Sequence, residues 1–138
     1  MENTIRISEA ASLAMHAMAY LAGASNEVRC STKKIAAVLN ASEHHLSKVL
    51  QRLVRAGLLH SIRGPTGGFT IRRAPDEISL LDVLKAIEGS AGLRNCLFPR
   101  RICKGEKCIL GSLIETHNKQ LLEHLRSTTL SELMDVYQ

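Results

Sequence analysis

Cys96, Cys103 and Cys108 are separated by six and four intervening residues in one short segment. Thiolates are the side chains with which proteins hold zinc and iron-sulfur groups and carry out thiol redox chemistry. The spacings are wider than the two-residue gap of zinc ribbons, and a loop of this kind can wrap around several closely packed iron atoms. Arg94, Arg100, Arg101, Lys104 and Lys107 surround the thiols against the single acid Glu106. Positive charge lowers a thiol pKa and offsets the negative charge of a thiolate-bound cluster. A zinc site or three reactive thiols would draw the same benefit, so all three chemistries stay open. The fourth cysteine, Cys30, lies far off in sequence and reads as a small buried filler. No two-residue cysteine pair and no nucleophile with a positioned base is found, which disfavours a thiol redox enzyme.

The second chemistry is electrostatic. Residues 29–73 hold Arg29, Lys33, Lys34, Lys48, Arg52, Arg55, Arg63, Arg72 and Arg73 against one acid, Glu43. That block is net +8, and the remainder of the +5 chain is net −3. Clustered Lys and Arg bind backbone phosphates by releasing counterions, so a polyanion, nucleic acid first, is the expected partner; the alternative is a merely solvated basic face.

Helices and a hairpin must present this block. Residues 9–22 place Ala10, Leu13, Ala14, Ala17, Met18 and Leu21 on one helical face, and Gly23 ends it. Ser31 or Thr32 can cap a short helix from Lys33 to Leu39, and Ser42 a third running to Ala56, with Leu46, Val49, Leu50 and Leu53 buried. Two short helices separated by about three residues form a helix-turn-helix. On its second helix His44, His45, Ser47 and Lys48 occupy the first two turns, where base edges are read, with at least one histidine expected to pack instead. Lys48 and Arg52 are expected on phosphate, with Lys33 from the preceding helix. The β-like runs 58–62 and 69–72 flank Arg63, Gly64, Pro65, Thr66, Gly67 and Gly68, a hairpin with a slim tip that reads as a wing. Arg63 at its foot suits the negative potential of a narrow minor groove, with Gly64, Thr66, Gly67 and Gly68 letting the backbone approach. A tight turn needing glycine only for its dihedrals explains the tip equally well.

Ser79 then caps a fourth helix, Leu80 to Glu88, followed by the cysteine loop from Gly89 to Lys107. An irregular stretch of that length is usually functional or held by a ligand. A long helix from Ile109 to Leu125 repeats Leu110, Leu113, Ile114, His117, Leu121 and Leu125 at heptad-like intervals, which calls for a partner helix, most simply from a second identical subunit. Thr129 to Glu132 has the form of a capping box for a last short helix. The expected fold is mainly α with a small β-hairpin: a winged helix-turn-helix over residues 1–75, then the cysteine loop and dimerisation helix over 76–138. The 138 residues, 45% apolar and 22% charged, suit a small globular protein and exclude a large multidomain enzyme. The Ala-rich run from Ala10 to Ala24 is interrupted by Ser12 and His16 and preceded by Glu9, so it fits neither a signal peptide nor a membrane span, and a cytoplasmic location is expected.

The phrase LVRAGLLHSIRGPTGGFTI from Leu53 to Ile71, the cysteine loop one helix later and the terminal apolar helix together resemble the IscR and NsrR family of bacterial winged-helix transcription regulators, over nearly the whole chain. The resemblance implies a homodimer presenting two wings and two recognition helices to a palindromic operator in double-stranded DNA, with long helices crossing at the interface. In many members the cysteine loop ligates an iron-sulfur cluster, 2Fe-2S or 4Fe-4S, that senses iron, redox state or nitric oxide. Some relatives lack the cysteines and work without iron. Three cysteines leave one ligand to find. The IscR branch uses a histidine three positions beyond the third cysteine, where this chain has Gly111, so that carry-over fails. Other branches take it from the partner's first helix, the region matching Ser12 to His16, and His16 is the better donor there. Glu9, His117 or an exogenous ligand are the alternatives. Rival readings are a winged-helix protein-assembly module with a structural zinc and a cluster-free thiol-based redox regulator.

Overall fold

The computed structural model describes residues 7–24, 28–89, 96–98, 100–103 and 107–138. Helix α1 (Glu9–Gly23) starts where the Ser8 Oγ accepts the Ala11 N–H at 3.0 Å. Its buried face is built from Ala11, Ala14, Ala17, Met18 and Leu21, and the alanines let α1 lie close to several neighbours at once. Ser31 caps α2 (Thr32–Leu39) and Ser42 caps α3 (Glu43–Arg55), each through an N–H three residues on. Between them Asn40 adopts the left-handed conformation at φ 51°, and the Ala41 N–H closes on the Ala36 carbonyl at 2.9 Å. This sharp helix exit aims α3 across α2, the expected helix-turn-helix.

Strands β1 (Leu59–Ile62) and β2 (Gly68–Ile71) pair antiparallel, with Leu59 opposite Ile71 and Ile62 opposite Gly68. Cys30 adds a one-residue bridge to Phe69 through paired backbone hydrogen bonds of 3.2 and 2.9 Å. The hairpin is thereby anchored to the segment before α2 as well as to α3, on which β1 packs.

A 3₁₀ turn (Pro75–Glu77) leads to α4 (Leu80–Glu88), which opens on a full capping box between Ser79 and Asp82. Helix α5 (Leu113–Ser127) starts four residues later than the apolar repeat predicts. Gly111 at φ +59° and the non-helical Ser112 break the helix, so Ile109 and Leu110 belong to a turn. The expected last helix is a single 3₁₀ turn (Leu130–Leu133) with the Thr129–Glu132 capping box in place. It is tied to the start of α4 by Leu80 N–H to Thr128 carbonyl and Leu130 N–H to Ile78 carbonyl, both 2.9 Å.

One hydrophobic cluster, from Ala11 on α1 to Leu130, joins all five helices and the hairpin. It therefore spans the expected division at residue 75. Among the described residues no helix is long and apolar enough to cross a membrane.

Candidate nucleic-acid interface

The interface begins with which residues of α3 the core leaves outside. Leu46, Val49, Leu50 and Leu53 are buried, so at 3.6 residues per turn the opposite face must carry His44, Ser47, Lys48, Gln51 and Arg55. His44, Lys48, Gln51 and Arg55 are exposed and Ser47 is half-buried. His45 is half-buried, the packing histidine of the pair. Gln51 is the member that reading only the first two turns misses; extending the helical period by one turn finds it. An amide can both donate and accept toward a base edge. On the preceding helix Lys33 and Lys34 are exposed.

Arg52, expected on phosphate, is exposed and also has a partner within the chain. It lies on the flank of α3 nearest Val49, and its guanidinium donates to the Ile87 carbonyl at the end of α4. The reason is local: α3 packs on α4, and the last carbonyls of a helix need donors.

In the wing, Arg63, Gly64, Pro65 and Thr66 are exposed, while Gly67 and Gly68 are half-buried. The chain itself accounts for the last two glycines. A Cβ on Gly68, at φ +151°, would lie 2.6 Å from the Cys30 carbonyl oxygen, and one on Gly67 would collide with the Ile62 carbonyl. Gly64, at φ +109° with open space around it, is where a slim backbone faces outward. Close approach of neighbouring backbone, rather than dihedral freedom alone, thus calls for glycine at 67 and 68. Cys30 is 1% exposed, as a filler should be. It sits beside Tyr20, and burial, reinforced by the Cys30 thiol, pushes the Tyr20 phenol above its ordinary value.

Cys96, Cys103 and Cys108 are half-buried free thiols. Arg100, Arg101 and Lys107 are exposed near them in sequence, whereas Arg94, Lys104 and Glu106 lie outside the described residues. Among the described residues no three His, Cys, Asp or Glu side chains come together closely enough to hold a metal ion. In donor chemistry the segment still fits a thiolate-ligated group: three accessible sulfurs, with no helix or strand among the described residues between them to fix their separation. His16 is exposed, and its Nδ1–H donates to the Ser12 carbonyl at 2.6 Å. A carbonyl only accepts, so this contact uses Nδ1–H as donor and leaves Nε2 as the ring nitrogen that could face a ligand. Within one chain His16 does not join the three thiols.

The model of the Rrf2 family, described as an iron-dependent transcriptional regulator, matches residues 7–136. The chain is 32% identical to the transcriptional regulator CymR of Bacillus subtilis over 129 residues, 94% of this chain and 89% of that one. It is 32% identical to NsrR of Geobacillus kaustophilus over 97 residues, covering 70% and 63% of the two chains. Among solved structures, CymR of B. subtilis, titled the global cysteine regulator, superposes with a TM-score of 0.79 at 30% identity, covering 97% and 99% of the chains. IscR of T. potens superposes at 0.75 and 28% identity, covering 97% and 89%. These relatives are transcription regulators, not enzymes, and with a family model spanning nearly its full length the chain belongs to the Rrf2 family of transcriptional regulators.

Proposed function

We propose that the protein is a homodimeric regulator that binds a palindromic site in double-stranded DNA and adjusts that binding through Cys96, Cys103 and Cys108. The observation that carries the DNA half is the exposed polar face of α3 beside an anchored wing that holds Arg63 outward. His44, Ser47 and Gln51 supply donors and acceptors for base edges in the major groove. Lys48, with Lys33 and Lys34 of α2, supplies phosphate contacts. Arg63 enters the minor groove next to the wing, and Gly64 and Thr66 run along the sugar-phosphate edge.

For the sensing half, Cys96, Cys103 and Cys108 would hold an iron-sulfur cluster, with His16 of the partner subunit as fourth donor. When bound, such a group supplies one-electron redox chemistry and reactivity toward oxidants and nitric oxide. The family's description as iron-dependent supports this reading. Chain residues do the rest: the Ser12 carbonyl orients the His16 ring, and the neighbouring arginines and lysines offset the negative charge of a thiolate-bound group.

A second reading, a cluster-free thiol regulator, is favoured by relatives of the CymR kind, one of which, from Staphylococcus aureus, was also solved in an oxidized form. Anaerobic purification decides between them. Iron and acid-labile sulfide in stoichiometric amounts, falling by about tenfold or more in Cys103→Ala because cluster retention needs the full thiolate set, support the cluster. A colourless wild type with neither metal nor sulfide, whose DNA affinity responds to thiol oxidation, establishes the second reading. Binding to duplexes selected from a genomic library, titrated against salt, tests the DNA half separately.

A further inference from the structure

Arg29 and Arg72 belong to the basic block, yet neither lies on α3 or at the wing tip. The wing sheet brings them together. Its inner face is set by Cys30, Leu59, Phe69 and Ile71, all buried. Side chains alternate along a strand, so the residues between these point outward. His60 stands opposite Thr70 in the hairpin, and the Cys30–Phe69 bridge carries Arg29 to the other side of Thr70. The Arg72 N–H takes the Leu58 carbonyl at 3.1 Å, which extends the ladder and sets Arg72 two residues along from Thr70 on the same outer face. His60, Arg29 and Arg72 are exposed around half-buried Thr70. Among the described residues no acid pairs with either arginine, and Glu27 lies outside them. Arg73, by contrast, donates to the Glu77 carbonyl at 3.3 Å.

Arg29 and Arg72 occupy a diagonal of the paired strands, about 7–8 Å apart at Cα, where like charges repel and an anion between them relieves the cost. We propose that this outer wing face is a second DNA contact, binding backbone phosphates of the duplex that flanks each half-site. The inference deepens the DNA-binding reading above and rests on it. Charge and shape favour this occupant. All three side chains are exposed, so the cluster is an open surface that suits an extended polyanion better than a small enclosed anion. The guanidinium fork matches phosphate oxygens, and the Thr70 hydroxyl and a His60 ring N–H add donors. Arg63 ties the face to the groove: it follows His60 by three residues, about 10 Å of extended strand, the rise of about three base pairs. A duplex that passes the wing at Arg63 therefore needs only to continue, or to bend slightly towards the protein, to bring phosphates to Arg29 and Arg72.

The test uses the full-length protein with two duplexes: a palindrome selected by the wild type and trimmed to its half-sites, and the same palindrome extended on each side by one helical turn of arbitrary sequence. The extended duplex should bind the wild type about tenfold more tightly, with a steeper slope of log affinity against log salt. Each arginine lost should flatten that slope by about 1.8, one phosphate in each of two subunits at about 0.9 apiece, and R29A combined with R72A should abolish the preference for the extended duplex. On the trimmed duplex both variants should bind as the wild type does. R29K keeps the charge and should keep the slope. Equal wild-type affinity for the two duplexes, or a preference that survives in the double variant, overturns the flank contact and leaves the cluster to another anionic partner such as an acidic protein surface. Variants that weaken the trimmed and extended duplexes alike place these arginines in half-site recognition and overturn it equally. Both side chains are exposed, so unchanged thermal melting is the folding control, and R29Q and R72Q replace the alanine variants should those melt early. A wild type that binds neither duplex sinks the DNA reading itself, a failure distinct from equal binding to both.

Discussion

Arg63 and Lys48 are both exposed cations, but the minor groove proposed for the first and the phosphate proposed for the second make them separable by experiment. A lysine on a phosphate neutralises one charge without reading sequence, so Lys48→Ala should weaken binding to any duplex and flatten the salt slope by about 0.9. An arginine in a narrow minor groove senses groove width as well as charge. Arg63→Ala should therefore cost about 1–3 kcal/mol on a selected duplex, roughly five- to 150-fold, and much less on a scrambled one. Thermal melting should barely move, because exposed positions contribute little to folding. Gel-shift titrations of both variants on both duplexes check the contrast; equal losses on the two duplexes for Arg63→Ala would reduce it to another phosphate contact. At this same scale the difference between Arg52 and Lys48 is instructive. Both are basic, four residues apart on one helix, and composition cannot separate them. Only the tertiary neighbour, the end of α4, gives Arg52 a hydrogen-bond partner within the protein, although both side chains are exposed.

The wing is where element geometry takes over from residue type. Its hairpin has only two strands, a number marginal in isolation, and the Cys30 bridge to Phe69 holds it in place. Gly68 makes that bridge possible, since any side chain there would meet Cys30 backbone atoms at 2.6–3.1 Å. Gly68→Ala should thus lower stability by about 1–3 kcal/mol through backbone strain and displaced pairing. A fall in the melting midpoint, together with faster amide exchange at Phe69 and Cys30, would register it; an unchanged midpoint would mean the bridge is dispensable. Elements bounded by local signals were legible in the sequence: Ser31, Ser42 and Ser79 cap their helices, and the glycines frame the hairpin. What local signals do not carry was missed. The apolar repeat through Ile109 and Leu110 looks helical, yet Gly111 and Ser112 end it, because a left-handed residue overrides periodicity. The Cys30 bridge joins residues far apart in the chain and has no short-range signature. The cysteine segment is legible as chemistry but not as geometry, since thiol spacing says which groups can be ligated and not how they meet.

At the scale of the molecule, the unresolved cost is an apolar surface. Ile109 is 82% exposed and Leu113 62%, just before and at the start of α5. Farther along, the charged pair Glu115–Lys119 faces solvent, and Ile114 and Leu125 turn into the core, so the uncovered patch is confined to one end and one side of the helix. Scattered exposed apolar residues need no explanation, but consecutive ones on a helix entry favour burial against a partner. A second copy is the simplest occupant, and it is what a regulator reading two half-sites requires, since recognition helices must sit about 34 Å apart to enter successive major grooves on one face of the duplex. Joining two weak half-site contacts in one dimer makes the second contact intramolecular, at an effective concentration in the millimolar range. Leu113→Asp introduces a charge into that contact without touching α3 or the wing. It should sediment as a monomer at concentrations where the wild type is dimeric, and bind a palindromic duplex about 100-fold more weakly while binding a single half-site as the wild type does. A variant that stays dimeric with full affinity would place the subunit interface elsewhere and leave the apolar end of α5 free for a different partner.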